Sequence, residues 1–297
     1  MRTGGRRGRE PEGRGGGDGG DGVPEPGLRR GEHLDRRRRP RRPLALRGEF
    51  GANVGAPRLL DLCRRLGVPS TWFVPGHTAE SHPAVTARIA TDGHEVAAHG
   101  YLHEDFSALD PDEARAVLRR ANDALERITG QRPRGIRLPP WAMPDWLAEL
   151  LLDEGFAYDS SLMGDCRAYW TRAADLVPDD GPVTYGRELP LVQLPVTFIT
   201  SDFAYFEFNG YGRPALPAGL RNPRDVEQIW LDELTYLEER GEPGAYLMLM
   251  LHPQAIGWGG RMLMLERVLE AMLARGARFV TAETLAEGFR ATAAPPA

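Results

Sequence analysis

The chain has 297 residues, of which 41% are hydrophobic and 8% aromatic, a composition that suits one large globular domain. Its net charge of -5 conceals a division, because residues 1–48 carry 14 Arg and 7 acidic residues, which leaves -12 for residues 49–297. An acidic body binds polyanions poorly, and no run of 18 apolar residues occurs, so we expect no nucleic-acid and no membrane partner. The first residues lack an apolar signal segment, and we expect a cytoplasmic protein.

Residues 1–45 are predicted to be a disordered tail, followed by a folded domain over residues 46–297. Residues 1–43 contain 13 Arg and 12 Gly with almost no large apolar side chains, so burial cannot offset the entropy lost on ordering. A basic arm at Arg36 to Arg42 that binds nucleic acid or a membrane surface is the alternative to a solvated tail. Because the chain contains no lysine, a shifted reading frame or wrong start in GC-rich DNA is a further hypothesis, which peptide mapping of residues 1–43 would test.

Helix and strand signals alternate along the rest of the chain. Caps and apolar spacing predict helices at 57–66, 83–93, 110–130, 144–154, 222–240 and 261–275 and from residue 281 onward. Short apolar runs predict strands at 70–74, 94–98, 134–137, 157–160, 191–196, 245–251 and 278–280. The long connections at 161–188 and 200–221 are expected to border a functional site. The alternation predicts an α/β fold with a parallel sheet or barrel, whose site lies at the C-terminal ends of the strands.

Three of these strands end in polar side chains. His99 and His103 follow the second strand, Arg137 ends the third, and His252 follows the run at 245–251. Imidazoles four residues apart can share one Zn²⁺ or similar ion if the chain between them coils into one turn. Each residue also has a structural explanation, such as an ion pair for Arg137 or a strand terminator for His252. Their common position at the strand ends favours a shared site.

Aromatic residues and a further histidine are candidates for the walls of this site. Trp141 follows two prolines close to Arg137, and His77 follows the strand at 70–74, so both are candidate substrate-binding residues. Tyr205, Phe206 and Phe208 could add a second wall, with core packing as the alternative for the phenylalanines. The two cysteines, Cys63 and Cys166, form no Cys-x-x-Cys pair and are expected to be packing residues.

Four segments carry a resemblance to a known family: Thr71-Trp72-Phe73-Val74-Pro75-Gly76-His77, His99-Gly100-Tyr101-Leu102-His103-Glu104, Tyr158-Asp159-Ser160-Ser161-Leu162-Met163 and Leu251-His252-Pro253-Gln254. With these, the chain over roughly residues 46–290 resembles the polysaccharide deacetylase family, carbohydrate esterase family 4, also called the nodulation-protein-type deacetylase domain. Within it, the chain looks most like the allantoinase-like, cyclic-imide-hydrolase-like and peptidoglycan-deacetylase-like branch.

The resemblance implies a distorted seven-stranded (β/α) barrel that hydrolyses a non-peptide C–N bond in carbohydrate metabolism. It implies that His99 and His103 bind a divalent metal such as Zn²⁺, that His252 is the general acid and that Arg137 orients the catalytic groups. It also implies a homo-oligomer and a glycan or small-molecule substrate.

One part of the family pattern is absent. The family's first strand ends in an Asp-x-Asp motif that supplies the catalytic base and the third metal ligand, whereas here only Asp18, Asp21 and Asp35 precede the domain, in sequence without strand character. We therefore expect a barrel that lacks its first strand and a metal site whose third protein ligand is not identifiable. Three functions stay open: metal-dependent hydrolysis of an N-acetylated sugar or a small cyclic amide or imide, metal-free allantoinase-like ring opening, and a ligand-binding remnant without activity.

Overall fold

The computed structural model describes residues 48–173, 175–176, 184–207 and 221–296. All of them belong to one of the two units into which the chain divides, Arg42–Ala297. The predicted tail at 1–45 and the start of the predicted domain lie outside the described residues.

Strands and helices alternate, as the sequence pattern predicts. The strands are β1 (Thr71–Val74), β2 (Glu95–Ala98), β3 (Gly135–Ile136), β4 (Tyr158–Asp159), β5 (Tyr169–Arg172), β6 (Asp175–Leu176), β7 (Thr184–Tyr185) and β8 (Glu188–Gln193). The α-helices are α1 (Ala56–Leu66), α2 (Gly76–Ser81), α3 (Pro83–Thr91), α4 (Pro111–Thr129), α5 (Leu147–Asp153), α6 (Asp202–Phe206), α7 (Pro223–Arg240), α8 (Pro253–Ile256), α9 (Gly259–Ala274) and α10 (Ala282–Thr292). A π-helical turn, Gly51–Gly55, precedes α1, and 3₁₀ turns span Phe106–Ala108 and Phe198–Thr200.

One six-stranded sheet carries the fold, in the order β1-β2-β3-β4-β8-β5. Its first five strands are mutually parallel and β5 is antiparallel to β8, while β6 and β7 form a separate antiparallel pair. The parallel register brings Ala98 beside Ile136 and Ile136 beside Asp159. The residues that follow these strands therefore emerge at the same edge of the sheet, as expected for an α/β barrel.

Local sequence signals explain the helices that cover the sheet. Asp110 and Glu113 form a reciprocal capping box at the start of α4, and Gly130, with a left-handed φ of 76°, ends it. The apolar face of α4 then packs on the sheet within a core of fully buried side chains. A second cluster, centred on the fully buried Trp230 of α7, lies against α1 and α9. None of the described helices is both long and apolar enough to cross a bilayer.

The structure differs from expectation at the segments 245–251 and 278–280. Both were expected to be strands, but the first forms only isolated bridges, at Ala245 and Met250, and the second forms none. An extended segment becomes a strand only when a neighbour shares its hydrogen bonds, and within the described ranges β1 is paired on one side alone, to β2. The expected loop at 161–188 contains β5, and the expected loop at 200–221 contains α6.

Candidate functional site

His99, the first residue after β2, is held in one defined tautomer. Its Nδ1 lies 2.6 Å from the carbonyl oxygen of Arg137. A carbonyl oxygen can only accept, so Nδ1 carries the proton and donates, which leaves the lone pair on Nε2. Burial, and then the positive charge of a protonated His103, lower the pKa of His99 to about 3. The imidazole is therefore neutral at pH 7, the form that a metal ion requires.

The turn that follows brings His103 against His99 without forming the expected helical turn. Gly100 and His103 both have left-handed φ values, 69° and 64°. The carboxylate of Glu104 fixes the turn by accepting from the backbone N–H groups of Tyr101 and Leu102, each at 2.8 Å. The two imidazole centroids are 4.8 Å apart and the rings are nearly perpendicular. Bulky residues with left-handed backbone are found most often at functional sites. Burial lowers the pKa of His103, as it does that of His99.

Arg137 follows β3 and extends its guanidinium into the partly buried centre of the sheet edge. Nε donates to the carbonyl oxygen of Ser160 at 2.8 Å and Nη2 donates to Ser160 Oγ at 2.7 Å, with Met248 Sδ at 2.9 Å. The guanidinium carbon lies 4.2 Å from the ring centroid of Phe73 in β1. Burial lowers the pKa of Arg137 to about 10. Among the described residues no carboxylate forms an ion pair with it.

His252 is paired with a carboxylate that the sequence analysis did not identify. Asp202, at the first position of α6 and fully buried, accepts from His252 Nδ1 at 2.7 Å and from the backbone N–H of His252 at 2.8 Å. These bonds fix the imidazole with Nε2 directed away from Asp202. Burial raises the pKa of Asp202, since the surroundings disfavour its charge. The only sequence signal was its position in the long connection before a strand-ending histidine.

The three histidines share one electrostatic environment at the edge of the sheet. After burial, the positive charge of a protonated His252 is among the causes that lower the pKa of both His99 and His103. Arg137 is a smaller cause of the same kind at His99, and its carbonyl holds that ring. The structure therefore brings together the four residues that the sequence predicted to converge, His99, His103, Arg137 and His252.

Two of the candidate wall residues, Trp141 and His77, lie in segments that border the site. Trp141, with a left-handed φ of 72°, packs against Phe198 at a centroid distance of 4.7 Å. His77 is exposed at the start of α2 and contacts Tyr101 edge-on, so the structure places it beside the turn between the two metal-ligand candidates.

The remaining candidates for the walls are less exposed or outside the described residues. Phe206 is 2% exposed and belongs to the core, Tyr205 is partly buried, and Phe208 lies outside the described residues. Cys63 is buried, whereas Cys166 is exposed, so the packing expectation for Cys166 is wrong.

The site has suitable ligand types for a divalent metal but too few protein ligands. Two neutral imidazoles, one with its free nitrogen defined by a second hydrogen bond, are suitable ligands for Zn²⁺. Over the described ranges, however, no group of three or more His, Cys, Asp or Glu residues is placed to hold a metal ion. The site therefore offers two candidate imidazole ligands, one fewer than the three protein ligands that a catalytic Zn²⁺ usually has.

Fold and site together define an α/β barrel-type protein with a histidine site at the C-terminal ends of its parallel strands. The family model described as polysaccharide deacetylase matches residues 36–158. The peptidoglycan deacetylase of Helicobacter pylori is 32% identical over 255 residues, covering 82% of this chain and 86% of its own length. The chain belongs to the polysaccharide deacetylase family, whose deacetylases hydrolyse non-peptide C–N bonds.

Solved structures agree with the fold. A Mycobacterium smegmatis protein described as a polysaccharide deacetylase is 33% identical, with a TM-score of 0.72 over 85% of this chain and 82% of its own. Puue allantoinase is 24% identical, with a TM-score of 0.70 over 84% of this chain and 76% of its own. At that identity the similarity to the allantoinase concerns the fold alone. The expected barrel-like α/β architecture is confirmed.

Proposed function

We propose that the chain hydrolyses the acetamido C–N bond of an N-acetylated sugar within a glycan. The observation that carries the proposal is the meeting of the His99–His103 pair with the Asp202–His252 pair at one edge of the sheet. The relatives support the substrate class, since one is named a peptidoglycan deacetylase and another a chitin deacetylase.

Amide hydrolysis needs a proton for the departing nitrogen, and we assign its supply to His252. Its Nδ1 is bonded to Asp202, so Nε2 is the nitrogen that can face a substrate, and its side chain is 35% exposed. Asp202 acts as a positioning residue, because it fixes the orientation and tautomer of the ring without facing the reacting atoms. Arg137, locked by Ser160, supplies fixed positive charge to the same region.

We further propose that His99 Nε2 and His103 bind a divalent ion, with Zn²⁺ as the best match to two imidazoles. A bound metal of this kind makes water a nucleophile near neutral pH and polarises a carbonyl oxygen. Within the described ranges no third protein ligand accompanies them. Cytoplasmic location and a homo-oligomeric state stay predictions.

The test measures acetate release from chitotetraose and from peptidoglycan fragments, alongside turnover of allantoin and of a cyclic imide. Wild-type protein is compared with His252→Gln, with the double variant His99→Ala, His103→Ala, and with His82→Gln as a control. His82 lies at the start of α3, where its ring Nε2 lies 3.8 Å from a carboxylate oxygen of Glu49. We expect acetate from the glycans, its loss in both site variants, its retention in His82→Gln and one bound metal that the double variant loses.

Other outcomes identify the alternatives. Turnover of allantoin that survives a chelator would replace the proposal with metal-free ring opening. Glycan binding without any product from wild-type protein would support a ligand-binding remnant, which the two-ligand metal site favours.

A further inference from the structure

Two apolar side chains next to the site are exposed to solvent although their backbone is firmly held. Phe198 is 56% exposed and Ile199 is 44% exposed, in the 3₁₀ turn between β8 and α6. Exposed apolar side chains that cluster at a site are more informative than isolated ones, because clusters mark places where a ligand or partner binds.

The turn that carries them is anchored to the core. The carbonyl oxygen of Ile199 accepts from Trp230 Nε1 and from Tyr205 Oη, both at 3.0 Å. Thr200 Oγ1 donates to the carbonyl oxygen of Met248 at 2.6 Å. With one side of the turn bonded to a fully buried tryptophan, the exposed ring of Phe198 is presented outward from a rigid base.

The ring of Phe198 completes an aromatic wall with Trp141, at a centroid distance of 4.7 Å and an interplanar angle of 39°. Both members come from loops that connect directly to the site. Trp141 lies four residues after Arg137, and Phe198 lies four residues before Asp202, which holds His252. Contacts link the wall to the site, because Thr200 of the same turn bonds to Met248, whose Sδ lies 2.9 Å from Arg137 Nη2.

We propose that Phe198 is a substrate-binding residue that, with Trp141, packs against the sugar ring next to the one that reacts. The inference rests on the proposed function and deepens it. One face of a pyranose ring carries only C–H groups, and such a face packs well on the electron-rich face of an aromatic ring. On this proposal the wall contributes to binding only when a second sugar ring is present.

The experiment measures binding by titration calorimetry, so its outcome does not depend on turnover. Chitotetraose and N-acetylglucosamine are titrated into wild-type protein and into Phe198→Ala, Phe198→Tyr and Tyr236→Ala. Tyr236, on α7, is 60% exposed and serves as the matched loss of an exposed ring. We expect Phe198→Ala to bind chitotetraose about tenfold more weakly, and Phe198→Tyr and Tyr236→Ala to bind it as wild type does. N-acetylglucosamine affinity is expected to be the same in all four proteins.

Equal chitotetraose affinity in wild type and Phe198→Ala would overturn the inference, as would a wild-type protein that binds no chitotetraose. The two proposals fail separately. Acetate release together with an unaffected Phe198→Ala leaves the proposed function standing and removes the role of Phe198. Ring-dependent binding without acetate release supports the aromatic wall and removes the deacetylase.

Discussion

Replacing Arg137 with methionine is expected to leave the fold as stable as wild type or slightly more stable. Burial lowers the pKa of this guanidinium from 12.5 to about 10. Both values lie above neutral pH, so Arg137 is charged in the folded and the unfolded chain at pH 7. The shift then corresponds to a penalty of about 3 kcal/mol for keeping the charge in the folded state. Methionine removes that penalty while filling most of the same space.

The losses are smaller than the gain. The Ser160 carbonyl oxygen loses a donor at 2.8 Å, which costs about 1–2 kcal/mol if no water replaces it. Ser160 Oγ keeps its bond to the carbonyl oxygen of Leu194 at 3.0 Å. The contact with Phe73 is worth about 0.5–1 kcal/mol. The expected change in the free energy of unfolding therefore lies between zero and about 1 kcal/mol of stabilisation, together with loss of any acetate release.

Urea unfolding at pH 7 measures this change, with Arg134→Met as the matched control. Arg134 is three residues earlier and its side chain is 59% exposed, paired only with Glu283 at 3.2 Å, so its loss is expected to matter by less than about 0.5 kcal/mol. A loss of about 3–5 kcal/mol in Arg137→Met would refute the reasoning, because losses of that size arise when one partner of a buried ion pair is removed.

Three further predictions concern carboxylates. Asp202→Asn is expected to lower kcat of the deacetylase by about 100-fold with little change in KM, and steady-state kinetics within twofold of wild type would contradict its positioning role. Glu104→Gln is expected to weaken metal binding about tenfold in a metal titration, because its carboxylate holds the turn between the two histidines; unchanged affinity would oppose this. Burial raises the pKa of Asp159 from 3.8 to about 6, so the folded chain keeps a proton that the unfolded chain releases at lower pH. The free energy of unfolding should then fall by about 2 kcal/mol from this residue as the pH rises from 4 to 7, and urea titrations of Asp159→Asn should lack that fall.

The sequence was informative about position and less so about partners. His99 and Arg137 could be placed together because each follows a strand of one parallel sheet, and the ends of such strands meet at one edge. His252 was placed with them because it follows an apolar run, although that run forms only isolated bridges. Asp202 could not be found in this way. It lies 50 residues before His252, in a connection without a periodic pattern. The two segments meet through the bridge between Ser201 and Met250 and the bond from Thr200 to Met248, contacts that the sequence does not reveal.

Local backbone geometry was equally hard to foresee. The four-residue spacing of His99 and His103 suggested one helical turn, whereas the structure uses left-handed residues at Gly100 and His103 with Glu104 as the acceptor for the turn. Both arrangements bring the rings together, so the spacing predicted the contact for a reason that differs from the actual one. The run at 245–251 has the apolar character of a strand, but whether it forms one depends on a neighbour that its own sequence does not specify.

Three interactions near Arg137 lack a partner among the described residues. His99 and His103 offer two metal ligands, Arg137 has no carboxylate partner, and β1 has no strand along its outer edge. Arg137 lies between these groups, because it contacts Phe73 of β1 on one side and Met248 of the run at 245–251 on the other. A single extended segment bearing a carboxylate, laid along β1, would complete all three. Such a segment would supply both a metal ligand and an ion-pair partner for Arg137. When it is in place, metal affinity should be higher and Arg137→Met should be strongly destabilising instead of neutral.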